Sequence, residues 1–104
     1  MDLILTGSIQ KGLQIYGDTP NAVLVDVRDG DEYAQGHLPG SVNLPLGDLE
    51  TDICDVAPDA DTPLFLYCVN GSRSVQAASI LRELGYDNAA SIGGISGYKG
   101  ELER

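Results

Sequence analysis

The chain has no tryptophan, one histidine, one methionine and one phenylalanine in 104 residues. It holds two cysteines, Cys54 and Cys68, and six basic residues against 16 acidic ones. Each shortage excludes something. A single histidine, His37, with no CxxC or HxxxH spacing, leaves no donor set for a metal. The first residues, Met1-Asp2-Leu3-Ile4-Leu5-Thr6, lack the basic segment and long apolar stretch of a secretory leader. The expected compartment is therefore the cytoplasm, where a structural Cys54–Cys68 disulfide is not expected. No apolar run reaches the roughly 18 residues of a membrane span. A net charge of −10 disfavours nucleic acid and anionic membrane surfaces as partners. It also sets a field that opposes any anionic substrate.

What is present suits one domain over residues 1–104, with a 42% apolar content near the globular average. Ala22-Val23-Leu24-Val25-Asp26-Val27 and Leu64-Phe65-Leu66-Tyr67 are nearly continuous apolar runs. Such runs suit strands covered on both faces, hence a small parallel sheet with helices on both sides. A short first strand is expected over residues 1–5. Residues 8–16 read as a helix stopped by Gly17, and 29–34 and 46–56 as further helical pieces. Val42-Asn43-Leu44 is a strand candidate. Residues 72–84 form the clearest helix, with Ala77, Ile80, Leu81 and Leu84 as its apolar stripe. Residues 89–92 are the last strand. Gly93-Gly94 then predicts a turn, and 96–102 a short helix.

One segment carries chemistry. Cys68 ends the apolar run at Leu64-Phe65-Leu66-Tyr67, and Val69, Asn70, Gly71, Ser72, Arg73 and Ser74 lead into the clearest helix. A cysteine at a strand end is usually a small buried hydrophobe. Here its flanks supply a permissive glycine, two hydroxyls and a forked cation, which packing alone does not require. A helix N-terminus presents backbone N–H groups without intrahelical partners and a partial positive charge. Both favour a thiolate at Cys68, and the same N–H groups can hold an anion. In an open parallel sheet a ligand belongs at the strand carboxyl ends, where Cys68 falls.

Four groups of residues, in order, resemble the single-domain rhodaneses. Val25-Asp26-Val27-Arg28 with Glu32-Tyr33 is similar to the first signature of that family. The stretch from Gly36-His37-Leu38-Pro39-Gly40 through Ser41-Val42-Asn43-Leu44-Pro45 is similar to its second. Cys68 to Ser74 resembles the active-site loop, and Leu84-Gly85-Tyr86 with Gly93-Gly94 the closing segments. The resemblance spans residues 23–98. It implies a rhodanese-like α/β fold and a sulfurtransferase that needs no cofactor. In that scheme Cys68 takes a sulfane sulfur from thiosulfate or a persulfide donor and passes it to a thiol or cyanide. Two positions depart from the family pattern. Val69 stands where a basic residue is common, and Tyr98 where a tryptophan is.

Asp26, Arg28, Glu32 and His37 are expected to be structural residues near the site, with Arg28 and Glu32 as an ion pair that pins a loop. Cys54 sits between Asp52 and Asp55, whose charges disfavour a thiolate; a resolving thiol is the alternative. A second functional reading is a persulfide carrier in a relay from one protein to another. A phosphatase, the third, needs a wider loop than the four residues that separate Cys68 from Arg73. An inactive interaction module is disfavoured by the presence of Cys68.

Overall fold

A computed structural model describes residues 3–104. Met1 and Asp2, at the head of the expected first strand, lie outside the described residues. The rest of that stretch reduces to one parallel bridge, Ile4 to Ser91, closed by Leu5 N–H to Ser91 O and Ser91 N–H to Leu3 O. The elements that follow alternate as expected. They are α1 (Ile9–Gly17), β1 (Val23–Asp26), α2 (Gly30–Gln35), β2 (Val42–Asn43), α3 (Leu49–Val56), β3 (Leu64–Cys68), α4 (Ser72–Glu83) and β4 (Ala89–Gly94).

The four strands form one parallel sheet in the order β2-β1-β3-β4. Alternation along β3 divides the core. Leu64, Leu66 and Cys68 face a cluster with Leu49, Ile53, Ala77 and Leu81 from α3 and α4. Phe65 and Tyr67 face the opposite cluster with Ile9, Leu38 and Ile92. Both sheet faces are thus covered, which is why β3 reads as an unbroken apolar run. Each fully buried leucine contributes about 1.5–3 kcal/mol, so these clusters outweigh the weak helix propensity of α1.

The sheet register brings the site together at one edge. Asp26 lies opposite Asn43 and Tyr67, and Cys68 opposite Gly94. The β3–β4 register shifts between Leu66 and Cys68, where β4 takes one residue more than β3. Such bulges re-aim a strand end, and this one brings β4 beneath the loop after Cys68.

Two expectations are corrected at the C-terminus. Gly93-Gly94 is not a turn; both residues complete β4, and the turn is a single 3₁₀ turn over Ile95–Gly97. The expected helix over 96–102 does not form. Tyr98 is extended, and Glu103 instead makes a two-way backbone bridge with His37. The expected helix over 46–56 begins as a 3₁₀ turn, Leu46–Asp48, before α3.

Candidate active site

Cys68 is the last residue of β3 and has no exposed surface. Its Sγ accepts the Gly71 N–H at 3.1 Å and the Ser74 N–H at 3.4 Å, and lies 3.6 Å from Ser74 Oγ. Two backbone donors aimed at one sulfur favour negative charge on it. The loop that supplies them is tight for local reasons. Gly71 adopts φ 99°, a left-handed conformation that a side chain disfavours. Asn70 Oδ1 accepts both the Ser72 N–H and the Ser72 hydroxyl, at 3.0 and 2.9 Å. Val69 O accepts the Ser96 N–H, which ties the loop to the turn after β4. Gly94 completes the seat. A Cβ at that position would overlap Val69 O and Asn70 Cα.

The expected Arg28–Glu32 pair does not exist. Arg28 instead binds Asp26, through Nε to both carboxylate oxygens and through its terminal nitrogen at 2.8 Å, and also reaches Gly36 O. Asp26 is fully buried and Arg28 nearly so, so this pair fixes the chain between β1 and β2. Glu32 turns to the loop and holds the Arg73 guanidinium through two bonds of 2.8 and 3.1 Å. That bidentate contact, with the Asp29 N–H on the same carboxylate, lowers Glu32 to about 2. The cause of the exchange is geometric. Arg28 folds back two residues onto Asp26, which leaves Glu32, on the next helix turn, free to meet α4.

His37 takes no part in the Cys68 loop. Its ring stacks on Tyr33 at 3.7 Å, its Nδ1–H donates to Tyr33 O, and its Nε2 lies 4.0 Å from Glu103. Cys54 is exposed on α3, 3.8 Å from the Tyr86 hydroxyl, and both cysteines are free. Among the described residues, no group of three His, Cys, Asp or Glu side chains could hold a metal ion. No helix among them is long and apolar enough to cross a membrane. A pocket of about 410 Å³ opens behind the loop, lined by Ile4, Thr6, Asn70, Ser72, Val75 and Ser91 among others. Another of about 280 Å³ lies beside Arg28, Glu32 and Leu102. Cys68 lines neither.

This loop sits at the carboxyl end of a parallel strand, and the rhodanese-like domain profile matches residues 10–101 around it. The chain belongs to the rhodanese-like family. It is 37% identical over 71 residues to the thiosulfate sulfurtransferase PspE of Escherichia coli, across 68% of each chain. It is 34% identical over 82 residues to a thiosulfate:glutathione sulfurtransferase of Saccharomyces cerevisiae, across 68% of this chain and 59% of that protein. An E. coli rhodanese solved with anions superposes with a TM-score of 0.74 at 31% identity, covering 80% of this chain and 98% of that one.

Within this rhodanese-like domain, one polar neighbour of the loop escapes the sequence motifs. Ser91 is buried, with its Oγ 2.7 Å from Ser74 Oγ. Its signal in the sequence is faint. It is the lone polar residue of Ala89-Ala90-Ser91-Ile92, and it shares the face of Ala89 rather than that of Ile92.

Proposed function

We propose that this rhodanese-like domain is a sulfurtransferase that carries a sulfane sulfur on Cys68. The observation that carries the reading is the convergence of the Gly71 and Ser74 N–H groups on the Cys68 sulfur. In the first step the Cys68 thiolate attacks the outer sulfur of thiosulfate. A bond forms from Sγ to that sulfur, the S–S bond of thiosulfate breaks, and its electron pair leaves on sulfite. In the second step an acceptor thiolate attacks the outer sulfur, takes it as a new persulfide, and returns Cys68 as a thiolate. Cyanide in the same place leaves as thiocyanate. The loop N–H groups are fixed before reaction and face the charge on sulfur at both stages, so they need no reorganisation. The named activity of the E. coli relative supports thiosulfate as donor, and that of the yeast relative supports a small thiol as acceptor.

Val69 and Asn70, which follow the buried Cys68, are exposed. Two observations favour a narrower reading of which donor is used best. Glu32 occupies the Arg73 guanidinium, and Val69 offers no charge. An uncharged or protein-borne persulfide therefore loads Cys68 faster than thiosulfate does. Intact mass after exposure to thiosulfate tests the main reading. One added sulfur is expected on the wild type and none on Cys68→Ser, which keeps the fold because the volume change is small. An added sulfur retained by Cys68→Ser would sink it. Loading from a persulfide donor, measured on the same sample, separates an enzyme with free thiosulfate activity from a carrier fed by a partner protein.

A further inference from the structure

The β4 alternation that sends Ile92 to the α1 face sends Ala89 and Ser91 toward α4. Ser91 is held there from both sides. Its backbone pairs with β3 opposite Leu66, and its N–H and C=O bind Leu3 and Leu5. Its side chain meets the first turn of α4 at Ser74. Both serines are buried, Ser91 at 1% and Ser74 at 0% exposure.

The contact between the two hydroxyls can run in either direction, and the acceptors around them favour one. A hydroxyl donates one proton and accepts up to two. Ser91 Oγ already accepts the Gly93 N–H at 3.2 Å. The acceptor within its reach is Ser74 Oγ at 2.7 Å, so the Ser91 proton goes there. The Ser74 proton is thereby turned away from Ser91. It has two targets: Gly71 O at 3.0 Å and Cys68 Sγ at 3.6 Å. With a thiol, Cys68 S–H donates to Ser74 Oγ and Ser74 donates to Gly71 O. With a thiolate, the Ser74 proton swings to the sulfur. Gly71 O is not orphaned by the swing, because it still accepts the Val75 N–H at 3.1 Å. Every buried polar group is satisfied in both states, so the cost of passing between them is small.

We propose that Ser91 is a positioning residue: its hydroxyl commits the Ser74 proton to the side of Cys68, where it becomes a third donor to the ionised sulfur beside the Gly71 and Ser74 N–H groups. This rests on the reading of Cys68 as the sulfur carrier. It adds a residue from β4, outside the Cys68 loop, to the machinery that prepares the thiolate.

A double-variant cycle tests it, with the rate of persulfide formation from thiosulfate followed by intact mass. Losing a donor removes one hydrogen bond from the charged sulfur, and higher intrinsic nucleophilicity returns part of the rate. The expected net fall is roughly threefold to tenfold for Ser74→Ala and roughly threefold for Ser91→Ala. Because Ser91 acts through Ser74, the double variant is expected to be no slower than Ser74→Ala alone. Ser91→Thr keeps the hydroxyl and is expected near the wild-type rate. Ser91→Val, equal in shape to threonine, is expected to match Ser91→Ala, and this pair repeats the comparison if Ser91→Ala does not fold. A wild-type rate in Ser91→Ala, losses that multiply in the double variant, or equal rates for threonine and valine would each overturn the proposal. A wild type that takes up no sulfur would overturn the sulfurtransferase reading instead. Iodoacetamide alkylation of Cys68 in the same variants still reads the Ser91 effect in that event.

Discussion

Arg73 brings a fixed cation to the rim of the Cys68 loop, and Glu32 holds it there with two hydrogen bonds. A cation already matched in this way offers little net charge to a donor anion. Its larger effect is to tie the first turn of α4 to α2. Arg73→Ala is therefore expected to slow loading from thiosulfate and from an uncharged persulfide donor by the same factor, roughly tenfold, through loss of loop placement. A loss confined to thiosulfate would instead make Arg73 a contact for the donor anion. The carboxylate side of the pair has a pH signature. Glu32 is lowered to about 2 by Arg73 and the Asp29 N–H. A depressed acid contributes stability above its unfolded value, near 4.3, and loses it as pH falls through the folded one. The wild type should exceed Glu32→Gln near neutral pH by about 1 kcal/mol or less, since the pair is one-third exposed. That margin closes as pH falls from about 4 toward 2. Urea titrations across this range check it, and a constant margin would show that the charge on Glu32 contributes nothing.

The loop is an element only because β4 passes beneath it. Gly94 puts its Cα where a Cβ would overlap Val69 O and Asn70 Cα. Gly94→Ala must move either the loop or the strand, a strain of about 1–3 kcal/mol. The loop is exposed, whereas β4 is held by β3 on one side and packed against α1 and α4, so the loop moves. Sulfur loading is expected to fall more than roughly tenfold, since a displacement near 1 Å suffices for a loss of that size, while the melting transition stays cooperative. Retention of full loading would mean that Val69 and Asn70 can shift without carrying Cys68 along. Elements of this kind differ in how plainly the sequence announces them. β3 and α4 are legible because a run of buried apolar residues and a 3.6-residue stripe are local signals. The loop between them is legible because cysteine, glycine and arginine fall within six residues. The 96–102 helix fails for the opposite reason. Nothing local records that Glu103 will bridge to His37 and draw the chain out straight. The exchange of partners among Asp26, Arg28, Glu32 and Arg73 is likewise set by how α2 approaches α4, which no spacing encodes.

At the scale of the whole molecule, the α/β class follows from two apolar runs and the helical pieces between them, and the sheet order follows from packing that the runs do not specify. Charge is the property of the whole that composition states completely. Sixteen acidic residues and six basic ones give −10. Two of the six, Arg28 and Arg73, are committed to Asp26 and Glu32. Thiosulfate, a dianion, therefore approaches a surface that repels it, and its attraction to the loop N–H groups acts only at close range. Screening removes the long-range part. The Debye length shortens from about 30 Å at 0.01 M ionic strength to about 10 Å at 0.1 M. The value of kcat/KM for thiosulfate is thus expected to rise with added salt, while that for an uncharged persulfide donor stays flat. Val69 is 37% exposed beside Cys68, so Val69→Arg places a cation at the mouth of the site. One such charge near the donor is worth about 1 kcal/mol in water at contact distance, roughly fivefold in rate. The gain belongs at low salt and fades as salt rises, so the slope for Val69→Arg is shallower than that of the wild type. Steady-state rates with both donors across the salt series decide the matter. If thiosulfate turnover falls with salt in the wild type, the donor meets a locally positive approach despite the net charge, and the repulsion argument fails.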